Sequence, residues 1–567
     1  MGKNHKKKKR PCPKPGDPEY KTPTQLRNAR KRRKLQRERQ TKQSSLLPKT
    51  TTNNPPLDAS TFSPQTPSSS YKGVTVEDPS LRYLGNPKSA PIVQAAIRFF
   101  ESIPLQTGKS SFSSSSSPQL YHSFPVHVGP TTGWRTVARL AVRQDQNSNQ
   151  TTSKNKKNNG VLRIGLFVPG SHLLMEVPHC QVHHPRINVL VQRLQEECRS
   201  CNITAFDETT GKGNLRYVAI AIERSTGKQQ LVLVWKQDYG DTDQEASNQL
   251  QTLIQRLIQL SENQKNKSGD NDSDVDLHSL WVHYNNAWKH SNSIYDRQGQ
   301  WELKYGQERL LEVAATSLTT VESKKTMNVP LYFPPQVFRQ ANLDAFSNIV
   351  MSIREWLIQL RNKDNESDRS KKEGEKTTTK NKNEEKKKNR KKRLGHCLEL
   401  YGGVGTIGLH LHDLFDSLES SDENPYNKDC FEASVASIMI NGKPLKESKQ
   451  KKITYRSQSA TEMVQGSRGR AGLHGASVVI VDPPRKGLDK EVIDALCDDY
   501  TIEQQQHKTK FGSPSQALVY VSCGFDAFRR DYDSLVGSGK WHLNRAEGHI
   551  LFPGSDAIET LAFFKRC

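Results

Sequence analysis

Three apolar runs in the last third of the chain end in residues that can do chemistry. Leu398-Glu399-Leu400-Tyr401 runs into Gly402-Gly403-Val404-Gly405-Thr406-Ile407-Gly408. A Gly-rich turn after a buried strand lets the backbone approach a nucleotide-like ligand at the carboxyl edge of a sheet. The spacing is not the dinucleotide fingerprint, and alone it fits a plain tight turn as well. Val478-Val479-Ile480-Val481 ends in Asp482-Pro483-Pro484-Arg485. Two prolines fix φ and remove N–H donors, so this turn is stiff and aims the Asp482 carboxylate off the sheet edge. Leu518-Val519-Tyr520-Val521-Ser522 ends in Cys523-Gly524. A strand-end Cys is usually inert core. Here Asp526, Arg529, Arg530 and Asp531 follow, which predicts an emerging thiol beside positive charge that favours the thiolate.

Those turns need a scaffold of strands alternating with helices. From Cys397 onward that alternation is legible, and it predicts a parallel sheet with helices on both faces. Upstream, Thr136–Val142, Leu162–Val168, Tyr217–Ile222, Leu231–Trp235 and Ser279–Val282 read as strands. Helical spacing marks Ile187–Cys198 and Leu250–Leu260. The expected class is α/β throughout: a basic tail over 1–72, a mixed α/β domain over 73–335, and a doubly covered parallel-sheet domain over 336–567. Polar tracts at Ser110–Ser117, Gln144–Asn159, Glu262–Asp274 and Asn362–Arg393 read as surface excursions. The last is the largest and is expected to be a disordered basic insertion.

Composition supports this division. The 567 residues carry 84 Lys+Arg against 60 Asp+Glu, a formal charge of +24. Such an excess points to a polyanion, nucleic acid first. The hydrophobic fraction is only 33%, because long polar tracts dilute bunched apolar segments. Residues 1–72 hold two basic clusters, Lys6–Arg10 and Arg30–Lys34, which suit nuclear import or RNA contact as well as a solvated tail. The basic start predicts no secretory signal, and no run reaches the length of a membrane span. Nine scattered cysteines suit a reducing compartment.

Taken together, and in this order, the three strand-end motifs resemble the RNA 5-methyluridine methyltransferases. Phe338-Arg339-Gln340-Ala341-Asn342 is similar to that family's Phe-x-Gln-x-Asn segment, and Leu551-Phe552-Pro553 through Glu559 to its closing Phe-Pro…Glu segment. Gly133-Trp134-Arg135-Thr136 and Cys180-Gln181-Val182-His183 are similar to its substrate-binding domain, most like a plant and algal branch. The resemblance implies a class I Rossmann-like methyltransferase domain that uses S-adenosylmethionine. Gln340, Tyr401, Asp422 and Asp482 would hold the cofactor, with Asp422 on the ribose and Glu423 as its alternative. Cys523 would be the nucleophile and Glu559 the base. The substrate would be RNA, transfer RNA before ribosomal RNA, handled by a monomer with no membrane and no metal. The protein would be nuclear, nucleolar or cytoplasmic, an organelle remaining open.

The sequence departs from that pattern at Gly524-Phe525, where Asn-Pro is usual, and at Ala557, where His is usual. Three rival readings stand beside the resemblance. Cys180, His183, Cys198 and Cys201 are zinc-ligand types, although a helix is expected between the pairs. A non-catalytic RNA-binding protein would keep the fold. An amino methyltransferase would want an aromatic ring where Arg485 stands.

Overall fold

In the computed structural model, the described residues are 69–71, 74–76, 78–104, 122–144, 161–168, 171, 173–237, 244–265, 275–286, 294–296, 298–313, 326–373, 393–465, 469, 472–473, 475–498 and 517–567. All belong to one compact unit spanning Thr66–Cys567. The basic clusters of the tail and most of the polar tracts lie outside them.

The C-terminal sheet has eight strands, in the order Ile453–Arg456, Phe415–Ser421, Leu394–Leu400, Val478–Val481, Ala517–Ser522, Glu559–Arg566, Trp541–Ile550 and Val126–Val128. The first five are mutually parallel; Glu559–Arg566 is antiparallel to both of its neighbours. Val478–Val481 and Ala517–Ser522 are buried at every position. That is why they read as unbroken apolar runs rather than alternating ones, as strands covered on both faces do. Chain order reverses between Leu394–Leu400 and Val478–Val481, and a crevice opens at such a switch point beyond the carboxyl ends.

Register decides what meets there. Leu400 pairs with both Ser421 and Val481, and Val481 pairs with Tyr520. Tyr401, Asp422, Asp482 and Cys523 therefore all leave the same edge. Ser522 pairs with Thr560, so the antiparallel strand begins with Glu559 beside the residue that follows Ser522.

The N-terminal sheet has seven strands, from Gln300–Gly306 through Leu277–Tyr284, Gln229–Trp235, Leu215–Ile222, Val137–Gln144 and Leu162–Phe167 to Leu174–Glu176. Only the Gln229–Trp235 and Leu277–Tyr284 pair is parallel, and the helix Gln244–Lys265 makes that crossover. This helix and Pro185–Ser200 share one core cluster with the sheet: Leu190, Leu194, Leu253 and Leu257 meet Leu140, Val218 and Leu233.

Two expectations need correction. The span 73–335 is not all one domain, since parts of it pack into the catalytic domain. Helix Pro91–Glu101 packs Val93, Ala96 and Phe100 with Leu518, Phe525 and Phe528 of the catalytic domain, and Val126–Val128 extends its sheet. Leu310, Val329, Leu331 and Phe333 likewise join the cluster containing Val478 and Val519. Segments this short carry too little periodicity to announce their domain. Secondly, the 362–393 tract is not wholly an excursion: the helix Leu343–Glu373 runs through its first third. Lys, Glu and Arg are strong helix formers and prolong a helix that Phe346, Ile353 and Leu357 anchor in the core. Residues 374–392 lie outside the described residues. No helix among the described residues is long and apolar enough to cross a membrane.

Candidate active site

At the switch point lies a cavity of about 580 Å³. Gln340, Tyr401, Asp422, Asp482, Cys523 and Glu559 all line it. The six residues singled out in the sequence, up to 219 positions apart (559 − 340), thus converge on one cleft.

The Gly-rich turn forms one wall. Glu399 is buried, and its Oε1 accepts the Gly408 N–H at 2.7 Å. A Cβ on Gly408 would come 2.5 Å from Glu399 Oε2, so only glycine lets the turn close over the carboxylate. The second oxygen, Oε2, has no hydrogen-bond partner. Burial, aided by Asp422, pushes the Glu399 carboxyl up to about 7. Tyr401 takes a positive φ of 59°, strained for a bulky residue. Its hydroxyl donates to Asp489 Oδ2 at 3.1 Å, and Asp489 pairs with Lys486 at 2.5 Å. That anchor ties the cofactor turn to the loop after Asp482.

Asp422 is half-buried and accepts the N–H of Asn424 at 2.9 Å and of Gly403 at 3.2 Å. Glu423 also lines the cavity but is exposed. Asp422 is thus the better-held carboxylate for ribose hydroxyls. Asp422→Ala should weaken S-adenosylhomocysteine binding about 10- to 150-fold, the loss of a charged hydrogen-bond partner worth about 1.5–3 kcal/mol. Calorimetry measures this; an unchanged constant would transfer the role to Glu423.

The opposite wall holds the reactive groups. Cys523 is half-buried, and burial, then Glu559 and Asp482, push its thiol up to about 11, while Arg485 pulls it down. The thiolate-favouring surroundings expected from Arg529 and Arg530 are absent. Arg529 lies over the Phe99 ring at 5.4 Å, and Arg530 pairs with Asp531 at 2.7 Å. The helix that begins at Phe525 carries both away from the thiol. The cation that acts on Cys523 is Arg485, from the Asp-Pro-Pro-Arg turn. Asp482 is pushed up to about 7 by burial, then Glu399 and Asp422. Glu559 is 5% exposed and held well above the usual carboxylate range by burial and Asp482.

The structure accounts for one departure from the family pattern. A Cβ on Gly524 would come 2.4 Å from the Arg485 carbonyl oxygen. Glycine therefore lets the Asp482–Arg485 turn lie directly on the nucleophile turn. Asp556, a conceivable substitute base three residues before Glu559, is engaged elsewhere: it accepts the Ile92 N–H at 2.9 Å. Sequence reasoning missed Arg485's bearing on the thiol and the Asp489 anchor, since neither follows from local spacing.

The rival zinc set does not assemble among the described residues. Cys180 Sγ lies 3.8 Å from Asp78 Oδ2, His183 Nδ1 lies 3.1 Å from Asn188 Oδ1, and Cys198 is buried in the helix-packed core. Among the described residues, the one grouping of metal-ligand side chains lies elsewhere. All eight described cysteines are free.

No family model matches the chain. It is similar to an uncharacterized RNA methyltransferase of Protochlamydia amoebophila, 30% identical over 442 residues, which covers 78% of this chain and 88% of that one. It is also similar to a 23S rRNA (uracil(747)-C(5))-methyltransferase of Actinobacillus pleuropneumoniae, 22% identical over 44% of this chain and 50% of that one. Among solved structures it resembles a Pyrococcus abyssi tRNA (uracil-54, C5)-methyltransferase in complex with S-adenosyl-L-homocysteine, at 18% identity, covering 78% and 79% of the two chains, with a TM-score of 0.47. The P. amoebophila match, covering more than two thirds of both chains, settles kinship: this chain belongs to the RNA methyltransferase family to which its strand-end motifs pointed.

Proposed function

We propose that this protein transfers a methyl group from S-adenosylmethionine to C5 of a uridine in RNA, transfer RNA first, through a covalent bond between Cys523 and C6. The observation that carries this reading is the meeting of Cys523, Asp482 and Glu559 in one cleft with the Gly-rich turn. The residues present suit the cofactor: Glu399, a buried carboxylate with one oxygen unpaired, lines the cleft, and a Cβ on Gly403 would meet nothing within 4 Å. Gln340, Tyr401, Asp422 and Asp482 would hold it, and it supplies an electrophilic methyl group on a sulfonium.

The chain's own groups do the rest. C5 of uracil is a weak nucleophile. Addition of the Cys523 thiolate to C6 converts the ring to an enolate with electron density at C5, which can then take the methyl group. Covalent catalysis of this kind splits one hard step into easier ones. Glu559 then removes the C5 proton; the electron pair re-forms the C5–C6 double bond and expels the Cys523 thiolate. General-base action of this sort contributes roughly 10²- to 10⁴-fold. The uridine must be turned out of its stack to reach the thiol, which a folded RNA loop permits.

Protonation states set the pH profile. The thiol must lose its proton to attack, and Glu559 must be ionised to accept one. Both groups titrate above their ordinary values here, so kcat/KM should climb as pH rises from 7 to 9. Arg485 lowers both groups. Arg485→Gln should move the rising limb to higher pH by about one unit and cut the rate at neutral pH about tenfold. Arg485→Lys should restore part of it. A profile that Arg485→Gln leaves in place would remove Arg485 from thiol activation.

The same cleft chemistry on ribosomal RNA remains the second reading, favoured by the A. pleuropneumoniae relative. Mass mapping of 5-methyluridine in cells lacking the protein distinguishes the two. For location, the basic tail supports nucleus or nucleolus over cytoplasm. The chain is proposed to act as a monomer.

A further inference from the structure

Away from the cleft, a second cluster forms at the far edge of the catalytic sheet. Val126–Val128 pairs in parallel with the outer strand Trp541–Ile550, placing His127 opposite His549. Glu547 and His549 are two residues apart on one strand, so their side chains share a face. His127 Nε2 lies 3.1 Å from Glu547 Oε2, and His549 Nε2 lies 3.6 Å from the same oxygen. One ligand atom from each residue lies within 4.8 Å of the others.

The setting is that of a built site. Glu547 and His549 are 0% and 3% exposed, whereas the His127 side chain is 49% exposed. Arg545 pairs with Glu547 Oε1 at 2.9 Å, and the Ser352 hydroxyl donates to Oε2 at 3.2 Å. These neighbours fix the carboxylate's orientation, as outer partners of metal ligands do. The decisive feature is His549 Nε2, a buried ring nitrogen aimed at Glu547 Oε2 but 3.6 Å from it, beyond ordinary hydrogen-bond distance. A buried polar atom left unpaired is costly, and a cation between these three atoms would satisfy it.

We propose that His127, Glu547 and His549 bind a divalent transition metal of the zinc type, with the exposed side open to water. Two imidazole nitrogens and one carboxylate oxygen are a zinc donor set, and a fourth, water-filled position completes a tetrahedron. Magnesium and calcium prefer all-oxygen shells, so the nitrogen pair selects against them. The metal would fasten the Val126–Val128 strand to the catalytic sheet one pairing from the active site, since His549 is also the register partner of Glu559. No metal was expected from sequence, because His127 and Glu547 are 420 positions apart and lack any motif spacing.

The test uses the full-length protein, stripped with a chelator and titrated with Zn²⁺ by calorimetry. One equivalent should bind, and His127→Ala should weaken that binding at least about tenfold, the lower end of what even outer-shell losses cost. Because His127 is half-exposed, the variant should keep the wild-type circular dichroism. His549→Gln gives a second arm with a buried ligand replaced. Co²⁺ loading provides a readout independent of activity: visible d–d bands without a near-ultraviolet thiolate band, as expected for nitrogen and oxygen donors. Absence of binding to the wild type, Zn²⁺ affinity unchanged in both variants, or a thiolate band would each overturn the proposal and leave an imidazole–carboxylate ion pair.

Discussion

Cys523→Ala should reduce uridine methylation to the assay floor, a loss on the order of 10⁴–10⁶ as for other covalent nucleophiles, while S-adenosylhomocysteine still binds. The register argument makes this more than a motif inference. Ser522 is locked between Val481's neighbour Tyr520 on its own strand and Thr560 across the ladder, so the next residue must leave the sheet between the Asp482 turn and Glu559. Alanine there removes the only sulfur among the described residues lining the cavity and adds no bulk. Denaturing gels of labelled RNA read the same variant a second way. A 5-fluorouridine substrate should trap wild-type protein as a slow band, because fluorine at C5 cannot leave as a cation, and Cys523→Ala should give no band. A Cys523→Ala protein that still methylates uridine would sink the covalent mechanism altogether.

How much of this was legible beforehand differs between the two domains. In the catalytic domain, Val478–Val481 and Ala517–Ser522 are apolar at every position because both faces are covered. Buried parallel strands therefore announce themselves, and their carboxyl ends mark the site. In the N-terminal domain five of the seven sheet strands and the two helices packed on them were legible, but Val126–Val128, Leu174–Glu176, Gln300–Gly306 and the helix Pro91–Glu101 were not. Val126–Val128 is three residues long, and its place at the far edge depends on Trp541–Ile550. The electrostatics were the least legible. Arg529 and Arg530 lie six and seven residues after Cys523 and still act elsewhere, since a helix turns them away. Arg485 lies 38 positions before it (523 − 485) and is the cation that counts. Proximity in sequence gives a poor account of a field shaped by strand ends. The His127–Glu547–His549 cluster shows the same limit, since it exists only once Val126–Val128 pairs with Trp541–Ile550.

The opposite phenotype is expected of Glu559→Gln. Glutamine can fill the space and leave addition and methyl transfer possible, yet it cannot accept the C5 proton, so the methylated Cys523 adduct should accumulate with ordinary uridine RNA. Turnover should fall by roughly 10²- to 10⁴-fold, the usual worth of a general base. Stability separates this from misfolding. The Glu559 carboxyl titrates above its ordinary value in the folded protein, so the folded state holds that proton more tightly than the unfolded chain. Its contribution to stability is present at low pH and is lost as pH rises through the folded value. Glutamine never ionises. Glu559→Gln should therefore match the wild type in thermal melting near pH 5 and exceed it at pH 8 and above, while being nearly inactive at both. A destabilised variant at pH 8 would show that Glu559 is needed ionised for folding rather than held for chemistry. A stable variant without the slow band would move the proton to water in the cleft, because Asp556, the nearest other carboxylate in sequence, already holds the Ile92 N–H.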